Sequence, residues 1–333
     1  MHRSFDALDG YARGLASAVF AVMLALWPGR ACLAIDPPIP AGPPESSEVD
    51  RIFSSGVVQL GSVPLSPVRD VVQPAQYAET CIGDWQLLPN GHLYSPYLAG
   101  EKEPRFAAQW LWEKDRGLIW ETSLGGRFGL VRNGTPGPNG DGFQIDLEGA
   151  GQARVDPEED SDLEAADFRA GLIGTWRRDC WRFKTGYYHI SSHVGDEFLI
   201  DNPGFQRRNY VRDALLVGAM YDVTPDFQLY GEYAAALNHN GGAEVGELQL
   251  GAQFVTAGPT GPRGAPYAAI NGHLREEFDY GGSVNIVAGW LWRGSQTGKV
   301  FRVGAMYYDG PSIQYSFFDR HETLTGLGMW LDF

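Results

Sequence analysis

The segment Tyr187 to Glu197 reads Y-Y-H-I-S-S-H-V-G-D-E, and within it His189 and Ser191 stand two residues apart. On a β-strand that spacing puts both side chains on one face, with backbones about 6–7 Å apart. A serine hydroxyl attacks an ester only when a neighbouring base takes its proton, and the base needs a third group to orient it. Two carboxylates offer themselves as that third group: Asp213 in R-D-A-L, which shares parity with Leu215 and Val217, and Glu197 in the loop beyond the strand. The backbone N–H of Gly195 is the candidate donor to a developing oxyanion. His193 has the same parity but lies about 13 Å from His189 on a strand, too far to share a metal ion. Asp196, Arg212, His273, Arg275 and Glu276 complete the set of polar groups able to bind a ligand. The last three belong to N-G-H-L-R-E-E, where mutual ion pairing is the simpler role.

These groups need strands to hold them, and from Arg105 onward the chain alternates in strand fashion. Phe106, Ala108, Trp110 and Trp112 share one parity; Leu118, Trp120, Thr122 and Leu124 follow on the next run, and comparable runs continue to the terminal T-L-T-G-L-G-M-W-L-D-F. About twelve strands result, an even number suited to a closed barrel. The opposite parity carries Glu121, Asp146, Glu148, Arg182, Lys184, Glu232 and Arg302. Lipid rejects such charges, so in a membrane barrel they point into the lumen. If the fifth strand runs outward, His189 and Ser191 lie near its outer end on the lipid side, unless a bulge near Gly186 turns them inward. Trp110, Trp112, Trp290 and Trp292 suit the membrane interfaces.

The ends of the chain agree with export. Gly14 to Trp27 is a short apolar run, too short to span a bilayer and suited to a signal-peptide core, with cleavage after Ala34. Acylation of Cys32 is a weaker reading, because Arg30 stands where a lipobox needs a small apolar residue. Residues 35–104 are rich in proline and show no period, which reads as an irregular periplasmic segment reaching toward the barrel base. The barrel is expected over 105–333, so the fold class is all-β, an antiparallel transmembrane β-barrel. Removing the leader leaves Cys81 and Cys180, an even pair in an oxidising compartment and a candidate disulfide. A formal charge of -15 with no basic run excludes nucleic acid as a partner. The acidic loop Asp156 to Asp162 has carboxylates of the kind that Ca²⁺ favours but not the EF-hand spacing, so a solvated loop and no cofactor are expected.

G-Y-Y-H-I-S-S-H-V-G-D-E-F, N-Y-V-R-D-A-L, N-G-H-L-R-E-E and the terminal G-L-G-M-W-L-D-F together resemble a bacterial family of unknown function, numbered 1207 among the DUF families. The resemblance covers about residues 85–333 and implies an exported barrel without an assigned activity. The H-x-S strand is similar to that of the outer-membrane phospholipase A and lipid A deacylase barrels, whose pair faces lipid. Those hydrolases favour Asn after the Ser, where this chain has Ser192. The terminal strand ending on Phe333 resembles the closing strand of outer-membrane barrels, which implies the barrel-assembly machinery as a partner. The expectation is therefore an outer-membrane barrel in contact with lipid or lipopolysaccharide, most simply a structural one. A lipid-ester hydrolase built on Ser191 and His189 and a narrow solute channel are the alternatives.

Overall fold

A computed structural model describes residues 81–82, 85–114, 116–137, 140–158 and 161–333. The expected signal peptide, Cys32, the chain to residue 80 and the side chain of Cys81 lie outside the described residues. Fourteen strands are described, in chain order β1 (Cys81–Ile82), β2 (Trp85–Leu87), β3 (Phe106–Glu113), β4 (Gly117–Gly134), β5 (Gly142–Asp156), β6 (Asp162–Arg178), β7 (Trp181–Val194), β8 (Val211–Thr224), β9 (Phe227–Asn240), β10 (Gly246–Phe254), β11 (Ala265–Arg275), β12 (Gly282–Arg293), β13 (Val300–Pro311) and β14 (His321–Asp332). A short helix, α1 (Asp196–Asp201), lies in the β7–β8 connection. From β3 to β14 each strand pairs antiparallel with the next, and β14 returns to β3. The twelve strands form a closed antiparallel barrel with no free edge.

The alternation read from the sequence orients every strand. Trp110, Leu124, Phe128, Leu147, Leu172, Leu215, Leu250, Ile286, Phe301 and Leu327 are all exposed on the outer surface. Inside, Arg132, Arg154, Arg212 and Arg302 are completely buried, together with Glu121, Asp146, Glu148, Lys184 and Glu232. A soluble β-sandwich would bury the first set and expose the second. The inverted distribution is that of a barrel whose solvent is lipid.

The wall has one interruption. β2 and β3 occupy the same side of β4 in tandem, with Leu87 opposite Val131 and Ala107 opposite Ser123. Between them the chain leaves the wall and crosses the interior, so that Leu93, Tyr94, Tyr97, Leu98 and Ala99 are buried. The stretch expected as irregular periplasmic chain up to residue 104 therefore supplies a piece of wall and an internal plug. Its charges explain how a proline-rich segment holds there: Lys102 pairs with Asp167, Glu103 with Arg127 and Arg105 with Asp332. Tyr97 stacks on Tyr230 with ring centroids 3.9 Å apart, and Lys184 lies over both plug tyrosines. Phe333 sits against Phe106 and Phe128 beside the gap in the wall.

Because the wall strands alternate in direction, the β3–β4, β5–β6, β7–β8, β9–β10, β11–β12 and β13–β14 connections all emerge at one end of the barrel. There the β13–β14 connection folds inward, burying Gln314, Tyr315, Ser316 and Phe317. Phe198 and Phe205 of the β7–β8 connection pack on Phe317, and Tyr210 packs on Tyr315. Plug and cap fill the lumen, and the cavities between them have room for only a few water-sized guests.

Candidate active site

β7 pairs with β6 and β8 without a shift of register, Gly186 lying between Ile173 and Leu216. No bulge intervenes, so Tyr187, His189, Ser191 and His193 face outward while Tyr188, Ile190 and Ser192 are buried. His189 stands directly opposite Asp213 on β8, and its Nδ1 lies 2.8 Å from Asp213 Oδ1. The other neighbour of His189 across the sheet is Ala170, which leaves the imidazole room on that flank.

Asp213 is held by two further donors. The Tyr187 hydroxyl donates to Oδ1 at 2.6 Å and the Asn238 amide donates to Oδ2 at 2.9 Å. An ionised carboxylate only accepts hydrogen bonds, so the proton between the two residues belongs to His189 Nδ1. That tautomer leaves the lone pair on Nε2, the atom a general base uses. Ser191, next along the same face, sits between Phe168 on β6 and Val211 on β8. It makes no hydrogen bond with His189, so the His189–Asp213 pair is formed while the Ser191 hydroxyl is adjacent but unengaged.

The other sequence candidates distribute differently. Glu197 and Asp196 are exposed on α1 and are not hydrogen-bonded to His189. The Gly195 amide donates to the Glu164 carbonyl at 2.7 Å, so the expected oxyanion donor is already spent. A glycine is needed there, since a Cβ would stand 1.7 Å from the Leu163 carbonyl oxygen. His193 is exposed, with its ring 5.8 Å from that of Phe168. Arg212 points into the lumen, where it donates to the Ala234 and Val245 carbonyls and to Tyr188. His273 lies between Glu101 and Glu247, Arg275 pairs with Glu277, and Glu276 accepts from the Gly246 N–H. These inward groups bind the barrel to itself. Cys180 is buried and disulfide-bonded.

Sequence reasoning missed Tyr187 and Asn238. Tyr187 shares the parity of His189, a signal that was available. Asn238 comes opposite Asp213 only because the β8–β9 register shifts there, Asp213 facing Asn238 while Ala214 faces Ala236. Parity counting does not see such a bulge.

No curated protein matches the chain. Among solved structures it is similar to outer membrane phospholipase A from Escherichia coli, at 14% identity and a TM-score of 0.47 over 69% of this chain and 91% of that one. The Salmonella typhi outer membrane phospholipase dimer with bound calcium matches at 14% identity and a TM-score of 0.48, again over 69% and 91%. A triple mutant of the Rhodopseudomonas blastica porin matches at 12% identity and a TM-score of 0.29, over 69% of this chain and 99% of that one. A family model described as a protein of unknown function, DUF1207, matches residues 64–333, and the chain belongs to that family.

Proposed function

We propose that this barrel resides in the outer membrane and that its lipid-facing rim carries a serine lipid-ester hydrolase centre made of Ser191, His189 and Asp213. The observation that carries the reading is the 2.8 Å contact between His189 Nδ1 and Asp213 on the outer face of β7 and β8, with Ser191 next on that face. A His–Asp pair turned toward lipid is costly unless it is used or screened, because polar groups on that surface lose their water. Location in the outer membrane is supported by the leader-like Gly14–Trp27 run and the aromatic terminal strand, through which assembly would proceed.

In this reading a rotation about the Ser191 side chain brings Oγ to His189 Nε2. The hydroxyl proton passes to Nε2 as Oγ adds to the ester carbonyl. The imidazolium, held by Asp213, then returns that proton to the leaving alcohol as the ester bond breaks. Water repeats the sequence on the acyl-serine and releases the fatty acid. Phe168 and Val211 beside Ser191 supply an apolar surface for the acyl chain.

The test is fatty-acid release from phospholipid vesicles by the purified protein. The expected outcome is release by the parent chain and a loss on the order of 10³-fold or more in Ser191→Ala and in His189→Ala. Equal rates in parent and variants would place any activity elsewhere. A second reading, a structural barrel whose rim binds lipid or lipopolysaccharide without cleaving it, is favoured by the unengaged Ser191. It predicts no release from any form.

A further inference from the structure

We infer that a hard cation of the Ca²⁺ class sits inside the barrel between the plug and the wall, bound by the carboxylates of Glu101 and Glu103 and the amide oxygens of Gln109, Gln152 and Asn285. All five residues line one cavity, with room for roughly an ion and a water or two. They come from four places: Glu101 and Glu103 from the plug, Gln109 from β3, Gln152 from β5 and Asn285 from β12.

Four acceptor atoms in this set, Glu103 Oε2, Gln109 Oε1, Gln152 Oε1 and Asn285 Oδ1, have no hydrogen-bond donor among the described residues. Two of the amide orientations are fixed by the plug backbone. Asn285 Nδ2 donates to the Ala99 carbonyl at 2.8 Å and Gln152 Nε2 to the Glu101 carbonyl at 3.4 Å. Flipping either amide would set oxygen against oxygen, so the free oxygens stay turned into the space. An orphaned buried acceptor loses its bond to water without replacement, and four in one cavity call for a guest that presents positive charge or donors.

Most donors nearby are already engaged. Arg105 donates to the Leu98 and Tyr97 carbonyls at 2.9 and 2.6 Å, and its Nε is ion-paired with Asp332 at 3.3 Å without a hydrogen bond. Ser123 donates to the Arg105 carbonyl and Thr122 to that of Ala153. Glu101 is the decisive residue. Its side chain is only 4% exposed and has neutral donors in Ser283 and Asn271 and His273 at 3.9 Å, but among the described residues no Lys or Arg lies within 4.0 Å of it. Among the described residues, Glu103 has only Arg127 within 4.0 Å, at 3.6 Å, which it shares with Glu148. Carboxylate and amide oxygens at an irregular, solvent-poor site suit Ca²⁺ better than Mg²⁺, which demands a tight octahedron.

The experiment is metal analysis of the purified full chain after dialysis, paired with thermal unfolding in EDTA and after readdition of Ca²⁺. The expected result is about one Ca²⁺ retained per chain, a midpoint lowered by at least about 3 °C in EDTA and its recovery with Ca²⁺. Gln152→Leu and Asn285→Leu should lose the metal and the EDTA response, whereas Asp156→Asn in the acidic loop should keep both. Metal-free protein with an unchanged midpoint in EDTA would mean that water alone fills the space and would overturn the site. So would loss of the metal in Asp156→Asn. The EDTA arm uses the parent chain, so it decides even if a variant does not fold.

Discussion

At the residue scale the chemistry turns on how Asp213 is satisfied. It accepts from His189 and Tyr187 at Oδ1 and from Asn238 at Oδ2. Asp213→Asn keeps the shape but offers His189 an amide that can donate, which favours the wrong tautomer. If the rim is catalytic, fatty-acid release should fall by about 10³- to 10⁴-fold while folding is unchanged. Asn238→Leu removes only one oriented donor, so a loss of about tenfold is expected, the equivalent of a hydrogen bond of about 1.4 kcal/mol. Equal losses in the two variants would mean that Asp213 acts through fold rather than through His189. His189, Ser191 and Asp213 were legible because strand parity is strict and the β7–β8 register is unshifted. Asn238 was hidden behind a bulge, and the engagement of the Gly195 amide depends on a neighbouring strand that parity cannot place.

At the element scale the strands and the plug differ in what determines them. Each wall strand is specified locally, since one face meets lipid and the other a polar interior, and the resulting alternation is visible in about ten residues. The plug is specified by partners far along the chain, Lys102 with Asp167 and Glu103 with Arg127, and leaves no periodic trace. β2 is three residues long, too short for a period to show. Lys102→Ala would strand Asp167, a fully buried carboxylate, and should cost about 3–5 kcal/mol. Adding Asp167→Asn removes the uncompensated charge and still leaves an oxygen for the Tyr315 N–H, so the double variant should recover much of the loss. Urea unfolding, followed through the gel mobility of the folded barrel, reads both. A single variant as stable as the parent would show that the plug is not anchored by this pair.

At the scale of the whole molecule the barrel is built as a container already filled. The plug crosses the lumen and the β13–β14 connection closes the opposite end, so an open pore is not expected and planar bilayers holding the parent chain should record no conductance steps. The wall interruption provides the means to ask whether the plug alone blocks passage. β2 and β3 are separated along β4 by the distance from Val131 to Ser123, about 26 Å at about 3.3 Å per residue, which about seven residues can bridge as a strand. Replacing Leu88–Arg105 by a Thr/Ser linker of that length would restore a continuous wall strand and leave Asp167, Arg127 and Arg302 facing an emptied interior. Those charges would recruit water. Conductance steps should then appear, cation-favouring because the chain carries a formal charge of -15. Continued silence would assign closure to the cap formed by Gln314–Phe317, and a further shortening of that connection would then be the change that opens the barrel.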